Sequence, residues 1–381
     1  MKPLNILHVG NHTLPCIGGV ERVIWESARE QARKGHCVSI MVFSSCTSKN
    51  GNLPSLEEKE DVTIHRVPGK GPSFYRIPPI GVLLHHAREK DVIHVHGFGA
   101  WLDILALFKF SYAGKLFLTT HGGFYHTPAR ALVKSIYRFL IIPFSLFPVR
   151  TIFCVGEGDK QFVPSYFKSK TVVIPNGIVV SGEKHVGREK TFKKKPFHLL
   201  FLGRLSSNKH VEVLIDVIQD LHSLEPRARL HITGEDWEGL RSSLEEKVTK
   251  LGLLNTIIFH GKISDAETGK LLNESDAFVS ASSYEGFGMT ALEAMGAGCI
   301  PFLSPIPTFK EFVQKDRGFI LDVENPSSAA REIARVLNFS PAKKNAIRAR
   351  ARAYVVDHFS WESVIEKQVN YYTGKAPAAR V

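Results

Sequence analysis

Short apolar runs alternate with stretches of helical spacing along almost the whole chain. Residues 4–9 form one such run; after a loop, Val20, Val23, Ile24, Ser27 and Ala28 recur at helical spacing,. Lys34-Gly35 closes that helix, with a cation in the last turn and a glycine where a left-handed residue is needed,. Residues 37–43 are the next strand, so the chain opens on a β-α-β unit, which predicts parallel strands with helices packed over them,. Further strands are predicted at 91–95, 115–120, 151–155 and 171–175. A charged segment without periodicity, 181–196, interrupts the alternation and reads as a linker,. Beyond it, strands are predicted at 198–202, 230–233, 256–260, 276–280, 300–303 and 319–321, with one helical pattern from about 327 to 372. The pattern gives an α/β protein of two similar domains joined near residue 185. Sheets of this kind bind ligands beyond the carboxyl ends of their strands, and two facing domains place a site in the cleft between them.

The length of 381 residues agrees with two domains, and an apolar content of 44% excludes disorder,. The five cysteines are scattered and form no C-x-x-C pair, which argues against a disulfide framework or a zinc site and suits a reducing cytoplasm,. The first apolar run is short and leads into a glycine-rich loop, so it reads as a strand and not as a signal peptide,. The longest apolar stretch, 139–149, is broken by Pro143 and Pro148 and falls short of the roughly 20 residues that cross a bilayer,. A net charge of +12 favours anionic partners: nucleotides, nucleic acid or an anionic membrane surface,. Nucleic acid is disfavoured because the basic residues spread over both halves and do not gather in a stripe,. A nicotinamide dehydrogenase is disfavoured too, since the segment from Gly10 to Gly19 lacks G-x-G-x-x-G,.

The most informative segment is Glu285-Gly286-Phe287-Gly288-Met289-Thr290 through Glu293, which follows the strand 276–280. Its glycines admit close approach of backbone to a ligand. Met289, Leu292 and Met295 share one helical face, so a helix starts near Gly288 with free N–H groups suited to a phosphate,. Glu285 precedes the helix, Glu293 lies just over one turn inside it, and helical side chains lean towards the N-terminus,. Both carboxylates therefore reach one ligand and can accept hydrogen bonds from its hydroxyls. Arg204 and Lys209 follow the first strand of the second half; two fixed cations suit a diphosphate, but on sequence alone they read as surface charges,. His94 and His96 form an H-x-H pair, but no acidic cluster completes a ligand set and no metal is expected,.

Glu285 and Glu293 form the E-x7-E pattern, and here the chain resembles the retaining glycosyltransferases of family 4 with the GT-B fold. The resemblance covers nearly the full length. Gly18-Gly19-Val20-Glu21 is similar to the family's N-terminal glycine loop, Val173-Ile174-Pro175-Asn176-Gly177-Ile178 to its interdomain strand, and Phe201-Leu202-Gly203-Arg204-Leu205 with Lys209 to its phosphate-binding segment. One departure is His210, which stands where relatives usually carry glycine. The resemblance implies two Rossmann-like α/β domains facing across a deep cleft. Residues 1–183 would bind the acceptor and 184–360 the nucleotide-sugar, while 361–381 would form a C-terminal helix and tail packing back on the first domain.

It also implies roles. Arg204 and Lys209 would stabilise the departing nucleoside diphosphate, Glu285 would hold the transferred sugar and Glu293 the ribose. Gly18 and Gly19 would face the donor phosphate and the acceptor. His121, after the strand 115–120, would lie near the transferred sugar, and Gly261 with Lys262 would meet the nucleobase. A phosphate oxygen would take the acceptor proton, so the reaction would need neither a protein base nor a cofactor or metal. Thr120-His121-Gly122-Gly123-Phe124-Tyr125-His126-Thr127-Pro128 looks like the α-mannosyltransferases that build exopolysaccharides on polyprenyl diphosphate carriers. GDP-mannose is thus the favoured donor and a lipid-linked glycan the favoured acceptor, with UDP-sugars as the other donor class. The basic and aromatic stretch around Arg130, Lys134, Arg138 and Phe139 suits peripheral contact with an anionic membrane from the cytoplasmic side,. The alternatives are a nucleotide-sugar epimerase or hydrolase of the same fold, or a basic nucleotide- or nucleic-acid-binding protein without transferase activity.

Overall fold

The computed structural model describes residues 2–16, 19–45, 53–72, 74–121, 135–179, 196–285 and 287–376. The chain divides into two compact units: Met1–Gly177 with Trp361–Val381, and Ile178–Ser360. The linker predicted at 181–196 lies outside the described residues except for its last position.

In the first unit the strands are β1 (Asn5–Val9), β2 (Cys37–Phe43), β3 (Leu56–Lys59), β4 (Val62–Val67), β5 (Val92–His96), β6 (Lys115–Thr119), β7 (Val149–Cys154) and β8 (Thr171–Val173). They form one eight-stranded sheet in the order β3-β4-β2-β1-β5-β6-β7-β8. All neighbours are parallel except the β3–β4 hairpin. The strands β1, β2 and β5 are buried almost throughout because helices cover both faces,. Two clusters lie on opposite faces, one around Leu7, Val9, Ile93 and Leu118, the other around Ile6, Ile24, Ile40 and Val364. The helices of this unit are α1 (Gly19–Arg33), α2 (Ile80–Ala87), α3 (Ala100–Leu107) and α4 (Ile142–Leu146), the last entered through a wide-turned segment, Tyr137–Ile141. Tyr137 and Ser145 anchor that segment by donating to the half-buried Asp103 carboxylate, at 2.9 and 2.5 Å.

The second unit carries β9 (Phe197–Leu202), α5 (Val211–Leu224), β10 (Ala228–Thr233), α6 (Arg241–Lys250), β11 (Ile257–Gly261) and α7 (Asp265–Glu274). It continues through β12 (Ala277–Ser280), α8 (Met289–Gly296), β13 (Ile300–Leu303), α9 (Pro307–Val313), β14 (Phe319–Ile320), α10 (Pro326–Leu337) and α11 (Pro341–Phe359). Its six strands are all parallel, in the order β11-β10-β9-β12-β13-β14. A final helix, α12 (Trp361–Thr373), returns to the first unit and packs in the cluster with Ile24 and Ile40. The return is tight: Ile178 N–H donates to Phe359 O at 2.8 Å within the second unit, and a Cβ on Gly177 would collide with the Trp361 ring within the first.

Three differences from the sequence reading have physical causes. The hairpin β3–β4 was not predicted, although Val62, Ile64 and Arg66 alternate; its edge strand is largely exposed and charged, which removes the apolar signal,. The long helical pattern after 327 is three helices, broken where Ser340 and Ser360 sit in extended backbone at a helix end. Cys16 is disulfide-bonded, which the sequence argument against a disulfide framework did not anticipate, and its partner lies outside the described residues.

Candidate functional site

Among the parallel strands of each sheet the order reverses once. In the second unit the reversal falls between β9 and β12, the place where open α/β sheets take ligands at their carboxyl ends,. The loops leaving those two strands carry the candidate charges. Lys209 Nζ lies 2.7 Å from Glu285 Oε1, with only 13% and 12% of the two side chains exposed. Ser282 Oγ donates to the same Glu285 oxygen at 2.9 Å, and Ser280 Oγ lies 2.9 Å from Ser282 Oγ. The two loops are also joined through backbone: Ser283 N–H donates to Asn208 O at 2.9 Å, and Asn208 Nδ2 donates to Tyr284 O. Asn208, Ser282 and Ser283 were not singled out from the sequence. Their signal is faint, because small polar residues near glycines read as ordinary loop.

The helix behind Glu285 starts at Met289 with Gly288 as its N-cap, at φ 76°, and no side chain caps it. Glycine is required there: the backbone is left-handed, and a Cβ would press on Phe312,. Met289 and Thr290 thus begin a helix whose first N–H groups carry the positive end of the dipole,. Glu293 is half-buried one turn in, and Phe287 packs edge-on to Phe359. Gly286 lies outside the described residues.

Arg204 is exposed, with its guanidinium 4.0 Å from the Trp237 ring centroid. Gly203 precedes it, and a Cβ on Gly234 would collide with the Gly203 carbonyl, so the turns after β9 and β10 touch through bare backbone. Gly261 ends β11 at φ 68°, and Lys262 pairs with Glu235 at 3.2 Å on the surface. His210 adopts left-handed backbone at φ 47° just before α5, at a conformational cost of about 1–2 kcal/mol,.

In the first unit the order reverses between β1 and β5. Gly19 is the first residue of α1 in the connection after β1, whereas Gly18 lies outside the described residues. His121 follows β6 at φ 49°, half-buried. It does not stand alone. Its Nε2 lies 2.9 Å from His96 Nδ1, His96 Nε2 lies 2.9 Å from His8 Nδ1, and His8 Nε2 lies 2.8 Å from Gln31 Oε1. His94 stacks on His96 and bonds Tyr372 OH at 2.6 Å and Thr119 Oγ1 at 2.7 Å. Burial holds His8 and His121 down at about 4 and lowers His94 and His96 well below the ordinary imidazole range. These rings are neutral at pH 7. The sequence showed the H-x-H pair but not its third member: ligand atoms of His8, His94 and His96 all lie within 4.8 Å of one another. Both nitrogens of each of those rings already have hydrogen-bond partners.

The basic aromatic stretch predicted to meet a membrane is described only from residue 135. There Phe139, Leu140, Phe144 and Phe147 are exposed, as are Leu107 and Phe110 elsewhere in the first unit. Lys170 lies over the Phe147 ring, and Lys109 over Tyr112. Among the described residues no helix is long and apolar enough to cross a membrane.

Comparison with known proteins agrees across both units. Residues 184–354 match the family described as Glycosyl transferases group 1, and residues 17–181 match Glycosyltransferase Family 4. GDP-mannose:cellobiosyl-diphosphopolyprenol alpha-mannosyltransferase of Xanthomonas oryzae pv. oryzae (strain PXO99A) is 28% identical over 373 residues, covering 97% of this chain and 96% of its own. Its namesake from Komagataeibacter xylinus is 26% identical over 97% of this chain and 93% of its own. A GDP-mannose-dependent alpha-(1-6)-phosphatidylinositol dimannoside mannosyltransferase of Mycobacterium tuberculosis is 30% identical over 56% of this chain and 54% of its own. Among solved structures, a glycosyltransferase from Rickettsia africae ESF-5 superposes with a TM-score of 0.72 at 22% identity, covering 98% of this chain and 99% of that one. Anabaena Alr3699/HepE in complex with UDP gives 0.70 at 18% identity, over 97% and 100%. The shared fold is GT-B, with two Rossmann-like α/β domains.

The buried neutral histidines set a pH dependence of stability. In the unfolded chain His8 and His121 take up protons near pH 6.5, whereas in the fold they resist until about 4. Their contribution is complete above pH 6.5 and is lost as pH falls towards 4, by about 3 kcal/mol for the fully buried His8,. Urea unfolding between pH 7.5 and 4.5 should show a steady fall in unfolding free energy that begins near 6.5. A flat or rising profile contradicts the burial of these rings in neutral form.

Proposed function

Because the chain belongs to the family 4 glycosyltransferases of group 1, we propose that it transfers mannose from GDP-mannose to a polyprenyl-diphosphate-linked glycan, with retention of anomeric configuration and without a metal. The observation that carries this reading is the pairing of Lys209 with Glu285 at the strand-order reversal of the second unit, in a chain alike over its whole length to mannosyltransferases of that description. UDP-sugars are the competing donors.

In the proposed mechanism the second unit holds the donor. One of the three Lys209 N–H bonds points at Glu285, which leaves two for phosphate oxygens,. Arg204, backed by the Trp237 face, adds a planar guanidinium that can bind two oxygens at once,. The free N–H groups at Met289 and Thr290 complete a cationic cradle for the leaving diphosphate,. Glu285 accepts from hydroxyls of the transferred sugar while Lys209 and Ser282 fix its other oxygen, and Glu293 accepts from the ribose,. The family resemblance assigns Gly261 and Lys262 to the nucleobase, Gly19 to the phosphate and acceptor, and His121 to the transferred sugar. Charge grows on the diphosphate as the glycosidic bond opens, and cations fixed before reaction stabilise that growth more than they stabilise the bound ground state. A phosphate oxygen takes the proton of the attacking hydroxyl, so positive groups of the chain do the work that a metal ion does elsewhere.

The acceptor reading implies a membrane face in the first unit, where exposed aromatic and aliphatic side chains stand beside lysines,. Lipid-linked substrates remain in the bilayer, so the enzyme must meet them there.

The transfer is tested by supplying GDP-mannose, or UDP-sugars in parallel, with a polyprenyl-diphosphate-linked oligosaccharide. The account expects an α-mannoside product from GDP-mannose, and loss of at least about 10²-fold in kcat for Arg204→Ala and for Lys209→Ala. Turnover near that of the unaltered enzyme in both variants overturns their assignment, and exclusive use of a UDP-sugar overturns the donor. Separately, the protein should sediment with vesicles containing anionic phospholipid, less so in 0.5 M salt and less so as Phe139→Ser/Leu140→Ser. Equal recovery in the supernatant with and without vesicles contradicts the membrane face.

A further inference from the structure

The hydrogen bonds from Gln31 to His121 run through four residues on different elements and have a direction. Gln31 sits on α1, His8 on β1, His96 at the end of β5 and His121 just after β6. A neutral imidazole has one N–H donor and one bare nitrogen acceptor, so each link decides the next. Gln31 Oε1 accepts only, and it faces His8 Nε2 at 2.8 Å, so His8 carries its proton on Nε2 and leaves Nδ1 bare,. His96 must then donate from Nε2 to His8 Nδ1 across 2.9 Å, which leaves its own Nδ1 bare. His121 must in turn donate from Nε2 to His96 Nδ1 across 2.9 Å. The last ring is left with Nδ1 bare.

We infer that Gln31, His8 and His96 are positioning residues that hold His121 as the Nε2–H tautomer, so that its Nδ1 is an acceptor for a hydroxyl proton of the bound sugar or acceptor. The inference rests on the reading that places His121 beside the transferred sugar. The surroundings agree with it. Gln31, His8 and His94 are fully buried and His96 nearly so, so water does not compete for the internal links. His96 lies between His94 and His121 with near-parallel rings, at 4.4 and 5.2 Å between centroids, which fixes the ring planes along the chain. Burial disfavours charge on every ring, and a doubly protonated ring would break the alternation by presenting a donor to a donor. His94 is held separately by Tyr372 and Thr119, so it supports the stack without taking part in the relay. His121 thereby acts on substrate by accepting, while the charge-bearing work stays with the cations of the second unit. A ring with the opposite tautomer would present an N–H to the same hydroxyl and could not orient the hydroxyl's own proton towards itself.

The test uses the full chain labelled with 15N in its histidine rings at pH 7.5, with the His121 signals identified by their loss in His121→Asn. Long-range proton–nitrogen correlation then shows which nitrogen carries the proton. The inference expects a pyrrole-type Nε2 and a pyridine-type Nδ1 for His121. In Gln31→Met, which keeps the shape and removes the oxygen, the two tautomers should mix and kcat should fall by about 10-fold or more with the donor KM little changed. A protonated Nδ1 in the unaltered protein overturns the inference, and that spectrum decides even where Gln31→Met does not fold. An unchanged His121 spectrum in folded Gln31→Met overturns the relay, and a shifted spectrum with unchanged kcat overturns the positioning role. The spectrum needs no turnover, so failure of the GDP-mannose reading would show in the transfer assay alone and leave the tautomer result intact.

Discussion

Parallel pairing is the constraint on which the rest of the molecule depends. In a parallel sheet every strand delivers its following loop to the same edge, and every return to the other edge is a crossover. Residues far apart in sequence but just after strands are therefore brought to one rim. Lys209 and Glu285 are separated by 76 positions, yet they follow β9 and β12, which are neighbours because the strand order reverses between them. His121 reaches His96 by the same logic in the first unit, since β5 and β6 pair in parallel with His96 beside Thr119. The chemistry of each unit is thus a consequence of topology before it is a consequence of any single side chain.

The two rims differ in kind. That of the second unit is charged: a mostly buried lysine-glutamate pair, an arginine stacked on tryptophan and the open start of a helix. Removing two such charges from water is expensive, and their attraction compensates best when hydrogen bonds satisfy the remaining capacity, as Ser282 does for Glu285,. The rim of the first unit is neutral, built of imidazoles whose burial suppresses charge. A diphosphate leaving group needs the first kind of surface. A hydroxyl to be oriented needs the second, where an uncharged acceptor makes a directed bond without a competing Coulombic field.

Much of this was legible in the sequence, and the limits are physical. Strands such as β1, β2 and β9 were visible because burial on both faces makes them near-continuous apolar runs,. Lys209, Glu285 and Gly288 were visible as members of local motifs. That Lys209 and Glu285 are partners was not, because periodicity reports only local structure. The relay was less legible still: His8 lies inside an apolar strand, and Gln31 looks like a solvent-facing residue of α1, yet each is fully buried against the other. The β3–β4 hairpin escaped because its edge strand is exposed and charged, and the Cys16 disulfide because scattered cysteines carry no local pairing signal,. His210 stands in left-handed backbone, the conformation that glycine adopts most freely,.

The central claim is that the loops after β9 and β12 form a single donor site in which Lys209 and Glu285 act together. A double-mutant cycle on GDP-mannose binding tests it most directly, with calorimetric affinities for Lys209→Ala, Glu285→Ala and the double variant. The account predicts that the double variant loses far less than the sum of the single losses, with a coupling of about 1 kcal/mol or more. Losses that add to within about 0.5 kcal/mol would mean that the two residues act independently and would contradict the account.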